Sequence, residues 1–141
     1  MIILDTNVVS EVWRDRSHPN LLQWFEQQDS VPLFVCMSVV AELSYGANRT
    51  LLRDKSLRYL KALQSTVESS CRGRILPFDL SSALKFGEVV ASRDSIGRPI
   101  GPLDAMIAAI CIVHSATLAT RNTRDFEGLD LKLVNPFEAV A

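Results

Sequence analysis

Cysteine and histidine are scarce in this chain of 141 residues. Its three cysteines, Cys36, Cys71 and Cys111, are isolated and odd in number, and its only histidines are His18 and His114. A disulfide framework or a zinc site needs more of these residues at regular spacings. The sequence therefore favours a protein of the reducing cytoplasm that holds neither disulfides nor zinc.

Long apolar runs and an excess of charge are also missing. The longest apolar run, residues 105–113, is far shorter than the roughly 20 residues that a membrane-spanning helix needs. The first residues carry no basic segment of the kind that begins a secretion signal, so we expect neither a secreted nor a membrane protein. The formal charge is −1, so any binding of nucleic acid has to come from a local site.

The composition is that of one folded domain. An apolar share of 48% with 22% charged residues is typical of globular proteins. The length lies within the range that one domain usually occupies, so we expect a single domain over residues 1–141.

Alternating short apolar runs and amphipathic segments predict an α/β sandwich around a mainly parallel sheet. The predicted strands are residues 2–4, 31–37, 74–78, 117–120 and 131–134. The predicted helices are one beginning after Asp5, then residues 21–28, 39–46, 51–67, 82–93 and 103–114. Ser38 is expected to cap the third helix and Gly46 to end it, and Asp79 or Ser81 to cap the fifth.

Acidic and amide side chains follow the predicted strands. Asp5 closes the first strand, Glu42 lies early in the helix after the second, Asp104 begins a buried helix, and residues 122–125 follow the fourth strand. Ligands of open α/β sheets gather at the carboxyl ends of the strands, so these side chains can converge. Each acid alone is explained by helix capping and the helix dipole, which favour it by roughly 0.3 to 2 kcal/mol.

Several carboxylates in one pocket imply a metal ion. Their mutual repulsion raises their pKa values unless a hard cation neutralises them. Oxygen ligands with open positions suit Mg²⁺ or Mn²⁺, which accept phosphate oxygens and activate a water toward a phosphodiester.

Four ordered segments resemble a known family. They are MIILDTNVVS at residues 1–10, SVVAEL at 38–43 followed by Gly46, PLDAMIAA at 102–109, and ATRNTRDF at 119–126, and the closing Asn-Pro-Phe at 135–137 matches as well. Together they resemble PIN-domain proteins, in particular the VapC and FitB-like toxins of bacterial toxin–antitoxin pairs. The resemblance spans nearly the whole chain and implies a three-layer α/β/α sandwich with about five strands.

The resemblance also implies the roles of the site residues. Asp5 and Asp104 would bind Mg²⁺ or Mn²⁺ directly, and Glu42 would complete the acidic triad. Many relatives have an acid at the position of Asn122, which leaves Asn122 as a neutral ligand or water-positioning group and Asp125 as an outer acid. Thr6 and Asn7 would orient Asp5, and Thr120 would form a hydrogen bond to a carboxylate or to the bound water. The alternative is that all three are simple turn and cap residues.

The implied function is that of an endoribonuclease toxin that is neutralised by a small cognate antitoxin and forms a homodimer. Operator DNA would be reached only through the antitoxin. Residues 39–67 would offer the antitoxin an apolar surface that includes Leu43 and Tyr45. Arginines near the motifs are candidate contacts to RNA phosphates or solvated surface residues: Arg98, Arg121 and Arg124.

Two alternatives stay open at this point. The first keeps the metal site but directs it at structured DNA or at housekeeping RNA processing. The second is a catalytically weak PIN module that acts mainly through antitoxin-mediated binding to operator DNA.

Overall fold

Five short strands pair in parallel, in the order β3-β2-β1-β4-β5, in the computed structural model, which describes residues 1–139. The strands are β1 (Ile2–Leu4), β2 (Leu33–Cys36), β3 (Ile75–Leu76), β4 (Thr117–Ala119) and β5 (Lys132–Val134). Helices flank the sheet, so the predicted α/β class and the parallel five-stranded sheet are confirmed.

The central strand explains where the acids meet. Ile3 of β1 pairs with Phe34 of β2 on one side and with Leu118 of β4 on the other, and it is fully buried. A strand covered on both faces must be apolar at every position, which is the pattern of Ile2–Leu4. Asp5 therefore follows the middle strand of the sheet at its carboxyl end.

Six α-helices and two short helical turns connect the strands. The α-helices are α1 (Thr6–Val12), α2 (Pro19–Glu26), α3 (Met37–Asp54), α4 (Arg58–Ser65), α5 (Leu80–Ser95) and α6 (Pro102–Val113). A π-helical turn spans Thr66–Ser70, and a 3₁₀ turn spans Thr123–Phe126. Within residues 1–139, no helix is long and apolar enough to cross a membrane.

Helix α6 is packed into the core, as its alanine and isoleucine content predicts. Ala105, Ile107, Ala108, Ala109 and Ile110 are all fully buried. The helix packs mainly against α5 and brings Asp104, in its first turn, to the carboxyl end of the sheet.

Two predicted helix boundaries in the middle of the chain are wrong. Gly46 does not end α3, because Leu43 and Ala47 are buried on one face and continue the packing past the glycine. This burial outweighs the cost of about 1 kcal/mol of an interior glycine. The predicted helix over 51–67 is instead two helices, because Lys55 takes a left-handed conformation with φ of 57° and ends α3. The two helices pack against each other.

Two expectations about helix starts are also wrong. Cys36 rather than Ser38 occupies the N-cap position of α3, and the Ser38 hydroxyl is buried without a hydrogen-bond partner among residues 1–139. Helix α2 begins at Pro19, two residues before the predicted start, because the ring nitrogen Nδ1 of His18 accepts a hydrogen bond from the backbone N–H of Asn20 at 3.2 Å. At α5 Asp79 is the cap, accepting from the backbone of Ser82 at 2.9 Å.

Candidate active site

Asp5 is a buried carboxylate with three donors around it. Its side chain follows β1 and is 4% exposed. Oδ1 accepts from the backbone N–H of Thr6 at 2.7 Å. Oδ2 accepts from the Thr120 hydroxyl at 2.6 Å and from the Asn7 amide at 3.2 Å. Because the donors come from both α1 and the end of β4, the orientation of this carboxylate is set by two separate segments.

Thr120 joins the two segments. Its hydroxyl is fully buried and also accepts from the backbone N–H of Asn122 at 3.1 Å and from the Asn7 amide at 3.3 Å. The side-chain oxygen Oδ1 of Asn7 in turn accepts from the backbone N–H of Arg121 at 3.0 Å. The chain after β4 is therefore held against the start of α1, directly beside Asp5.

Glu42 is bound by a residue of the segment that also binds Asp5. It lies in the second turn of α3, half-buried, and accepts a hydrogen bond from the Thr6 hydroxyl. Thr6 thus donates hydrogen bonds to two carboxylates. Its backbone N–H donates to Asp5, and its hydroxyl donates to Glu42.

The negative charges of neighbouring acids act on Asp104. Burial and the negative charges of Asp5, Asp125 and Glu42 raise its pKa from the ordinary value of 3.8 to about 6, against the opposing charge of Arg93. Burial likewise raises the pKa of Asp5, with the Glu42 charge adding to it, although the hydrogen bonds from Thr120 and Thr6 oppose the rise. We call the four carboxylates that interact in this way, Asp5, Glu42, Asp104 and Asp125, the acidic pocket.

Asn122 and Asp125 lie at the edge of this pocket. Both are exposed, at the start of the 3₁₀ turn and within it. The Asn122 backbone donates to Thr120, but within residues 1–139 no hydrogen bond joins its amide to an acid of the pocket. Asp125 acts on Asp104 through its charge, and its backbone carbonyl accepts from Arg93.

The acids interact through their charges, but within residues 1–139 they do not form a complete set of metal ligands. In the part of the chain that the structure describes, no three acidic, histidine or cysteine side chains converge as a ready set of metal ligands. Mg²⁺ usually keeps several waters and binds through one or two carboxylates, so a pocket of uncompensated, partly buried carboxylates fits it without such convergence.

Arg93 is the residue that sequence reasoning missed. This α5 arginine is only 4% exposed, and its guanidinium donates to the carbonyl oxygens of Arg98 and Asp125, each at 2.7 Å. A signal existed, because Arg93 follows the buried Val89 by one helical turn and therefore shares its buried face.

A groove of about 530 Å³ leads away from the acidic pocket. Its lining begins with Thr6, Asn7 and Glu42 and continues past three arginines and two aromatic rings: Arg14, Arg49, Arg121, Trp13 and Tyr59. The guanidinium of Arg121, which lines this groove, lies 3.8 Å from the centre of the Phe137 ring, and this contact restrains the exposed charge.

The three arginines expected near the motifs differ in their surroundings. Arg121 and Arg124 are exposed, whereas Arg98 forms an ion pair with Glu127 at 3.3 Å. On α3, Tyr45 is 66% exposed and Leu43 only 4%, so Tyr45 carries the exposed apolar surface that was expected of both.

Similarity to known proteins agrees with this geometry. The sequence model of the PIN domain matches residues 2–131. A VapC ribonuclease of Sinorhizobium fredii is 34% identical over 138 residues, which cover 98% of this chain and 99% of the relative.

Two solved structures share the fold along nearly their whole length. The FitAcB crystal structure from Neisseria gonorrhoeae superposes with a TM-score of 0.83 at 32% identity, covering 97% of this chain and 99% of the other. The crystal structure of VapBC2 from Rickettsia felis, bound to a DNA fragment from its promoter, superposes with a TM-score of 0.79 at 26% identity. The match covers 96% of this chain and 98% of the other. With its acidic pocket at the carboxyl end of a parallel five-stranded sheet, this chain belongs to the PIN domain family.

Proposed function

We propose that this chain is the toxin of a toxin–antitoxin pair and acts as a metal-dependent endoribonuclease in the cytoplasm. The observation that carries the proposal is the acidic pocket, in which Asp5 directly follows the central strand and Asp104 feels the negative charges of Asp5, Glu42 and Asp125. A relative of nearly the same length is a VapC ribonuclease. RNA is accordingly the proposed substrate, and its phosphodiester bonds are the bonds broken.

The acidic pocket is proposed to bind Mg²⁺ or Mn²⁺ through Asp5 and Asp104, with Glu42 completing the set. When bound, such an ion supplies Lewis acidity toward the phosphodiester and toward a water. Thr120 and Asn7 hold Asp5 in one orientation, and Thr6 holds Glu42. A restrained carboxylate loses less conformational entropy when it binds a cation, which favours metal binding at this site.

Substrate RNA is proposed to approach along the groove. Arg121 lines the groove together with Glu42 and carries a positive charge that suits a phosphate next to the acidic pocket. Asn122 and Asp125, both exposed at the edge of the pocket, are proposed to position a water or the substrate.

The proposed partners are a cognate antitoxin and a second copy of the chain. The neighbouring structures are toxin–antitoxin complexes, one of them bound to promoter DNA, so operator DNA is proposed to be contacted through the antitoxin. Exposed apolar side chains on α5, Leu80 and Leu84, lie one turn apart and offer a surface for a homodimer.

Controlled expression of the chain alone in a bacterium tests this function. Wild type should arrest growth and deplete specific RNAs, whereas Asp5→Asn should do neither. Asp130→Asn is a matched control, since Asp130 is exposed and lies near Ser115, beyond the far end of α6 from Asp104. Normal growth and intact RNA with folded, well-expressed wild type would contradict the proposal.

Asn122, a neutral amide exposed at the edge of the acidic pocket, favours one second candidate, a catalytically weak module that acts through an antitoxin on operator DNA. That candidate predicts that Asp5→Asn leaves DNA binding by the toxin–antitoxin complex unchanged and that purified wild type cleaves no RNA.

A further inference from the structure

Arg93 joins two loops that reach the acidic pocket from different parts of the chain. Its Nε donates to the carbonyl of Arg98, in the loop that leads into α6 and hence to Asp104. One Nη donates to the carbonyl of Asp125, in the 3₁₀ turn after β4. We propose that Arg93 is a positioning residue, whose guanidinium sets the spacing between Asp104 and Asp125. The inference rests on the proposed function of the acidic pocket.

The burial of Arg93 needs an explanation beyond its two hydrogen bonds. The side chain is 4% exposed, and within residues 1–139 it forms no ion pair. A buried charge bonded only to neutral carbonyls carries a large desolvation cost. An uncharged donor bridging the two loops would avoid that cost.

Asp104 supplies a counter-charge that lies beyond ion-pair distance. Arg93 acts on Asp104 through its charge, and this is the only positive charge among the causes that shift that carboxyl. The guanidinium therefore bridges two loops and also offsets the repulsion among the acids that those loops carry. Both effects hold Asp104 and Asp125 at a set distance before any cation binds.

A second arginine, Arg98, links the same two loops but is exposed. Arg98 donates to the carbonyl of Arg124 at 3.3 Å and pairs with Glu127 at 3.3 Å, with its side chain 45% exposed. Exposed pairs of this kind contribute little to stability. The buried Arg93 bridge is therefore the one that determines where the loops lie.

The chain offers a matched control in Arg74. Its Nε donates to the carbonyl of Leu33 at 2.9 Å, and an Nη donates to the carbonyl of Ser70, so it also bridges two segments through backbone oxygens. It lies beside Cys71 in a different cavity, away from the acidic pocket. Arg74→Met removes a bridge of the same chemistry without touching the proposed site.

The test compares Arg93→Met, Arg93→Lys and Arg74→Met in the full chain, free of antitoxin and well below each melting temperature. Two quantities are measured: the Mn²⁺ dissociation constant of RNA-free protein by electron paramagnetic resonance, and kcat and KM for RNA at saturating Mg²⁺. Arg93→Met should weaken Mn²⁺ binding and lower kcat, each by about 10- to 100-fold, because displaced outer partners of a metal site have effects of this size. KM for RNA should change little, and Arg93→Lys should recover part of both losses.

Arg74→Met should keep the wild-type Mn²⁺ affinity and kcat, even if its melting temperature falls as far as that of Arg93→Met. Equal values for Arg93→Met and Arg74→Met would overturn the inference, and so would tighter Mn²⁺ binding by Arg93→Met. Folded wild type that neither binds Mn²⁺ nor cleaves RNA would instead contradict the proposed function, and the inference would fall with it.

Discussion

Replacing Asp104 by asparagine should stabilise the protein in the absence of metal while abolishing cleavage. The reason is that the folded state holds the Asp104 proton more tightly than the unfolded chain, with a pKa raised from 3.8 to about 6 by burial and by neighbouring acids. Losing that proton as the pH rises therefore costs stability. The asparagine amide of the variant does not ionise, so the variant does not lose stability in this way.

The magnitude follows from the size of the shift. At 1.36 kcal/mol per pKa unit the shift corresponds to at most roughly 3 kcal/mol. Asp104 is partly exposed, and solvent screening reduces the effect to about 1 kcal/mol. For a domain of this size, such a gain raises the melting temperature by about 3 to 5 °C.

The pH dependence has a definite sign. The advantage of Asp104→Asn should be complete above about pH 6 and fade as the pH falls toward 3.8, since the carboxyl is then protonated in both states. Thermal unfolding followed by circular dichroism in EDTA, from pH 8 down to pH 4, measures it, with Asp130→Asn as the control. Added Mg²⁺ should reverse the order by stabilising wild type more than the variant.

A lower melting temperature of Asp104→Asn at pH 8 in EDTA would refute this reasoning. Such a result is what the helix dipole alone predicts, because an acid in the first turn of α6 is favoured by about 0.3 to 1 kcal/mol.

Three further predictions concern other parts of the molecule. Thr120→Val removes the hydroxyl that donates to Asp5 at 2.6 Å, so both the melting temperature and the cleavage rate should fall, the latter by about 10-fold or more; unchanged cleavage would count against the role of Thr120. Leu80→Glu with Leu84→Glu should convert a homodimer into a folded monomer in light scattering, since these side chains are 75% and 68% exposed; a dimer that persists would place the interface elsewhere. The three buried cysteine thiols, of which Cys36 has its pKa raised by burial to about 11, should react with a thiol reagent only after unfolding, and rapid labelling of native protein would contradict that.

Much of the fold could be predicted from local patterns. The apolar run of Ile2–Leu4 is a buried central strand, and the apolar character of α6 on all sides shows its place in the core. Since parallel strands share one carboxyl edge, Asp5 and Asp104 could be expected there together. Each of these inferences needs only the hydrophobic pattern of one segment or the position at which a strand ends.

The rest depends on contacts between distant parts of the chain. Gly46 continues a helix because of tertiary packing, and Lys55 ends one in a left-handed conformation that its residue type does not favour. The bond from Thr6 to Glu42 and the bridge formed by Arg93 join segments far apart in sequence. No local pattern specifies such pairs, although the helical period could have placed Arg93 on the buried face.

The most direct test of the central claim is the cleavage of a mixed RNA pool by purified, antitoxin-free protein. Wild type is compared with Asp5→Asn and Asp104→Asn in Mg²⁺, Mn²⁺ or EDTA, with Asp130→Asn as the control. The acidic pocket predicts cleavage by wild type and the control with either metal, none in EDTA, and a loss of at least about 100-fold in both site variants. Cleavage that persists in EDTA or in Asp5→Asn, or no cleavage by folded wild type, would contradict it.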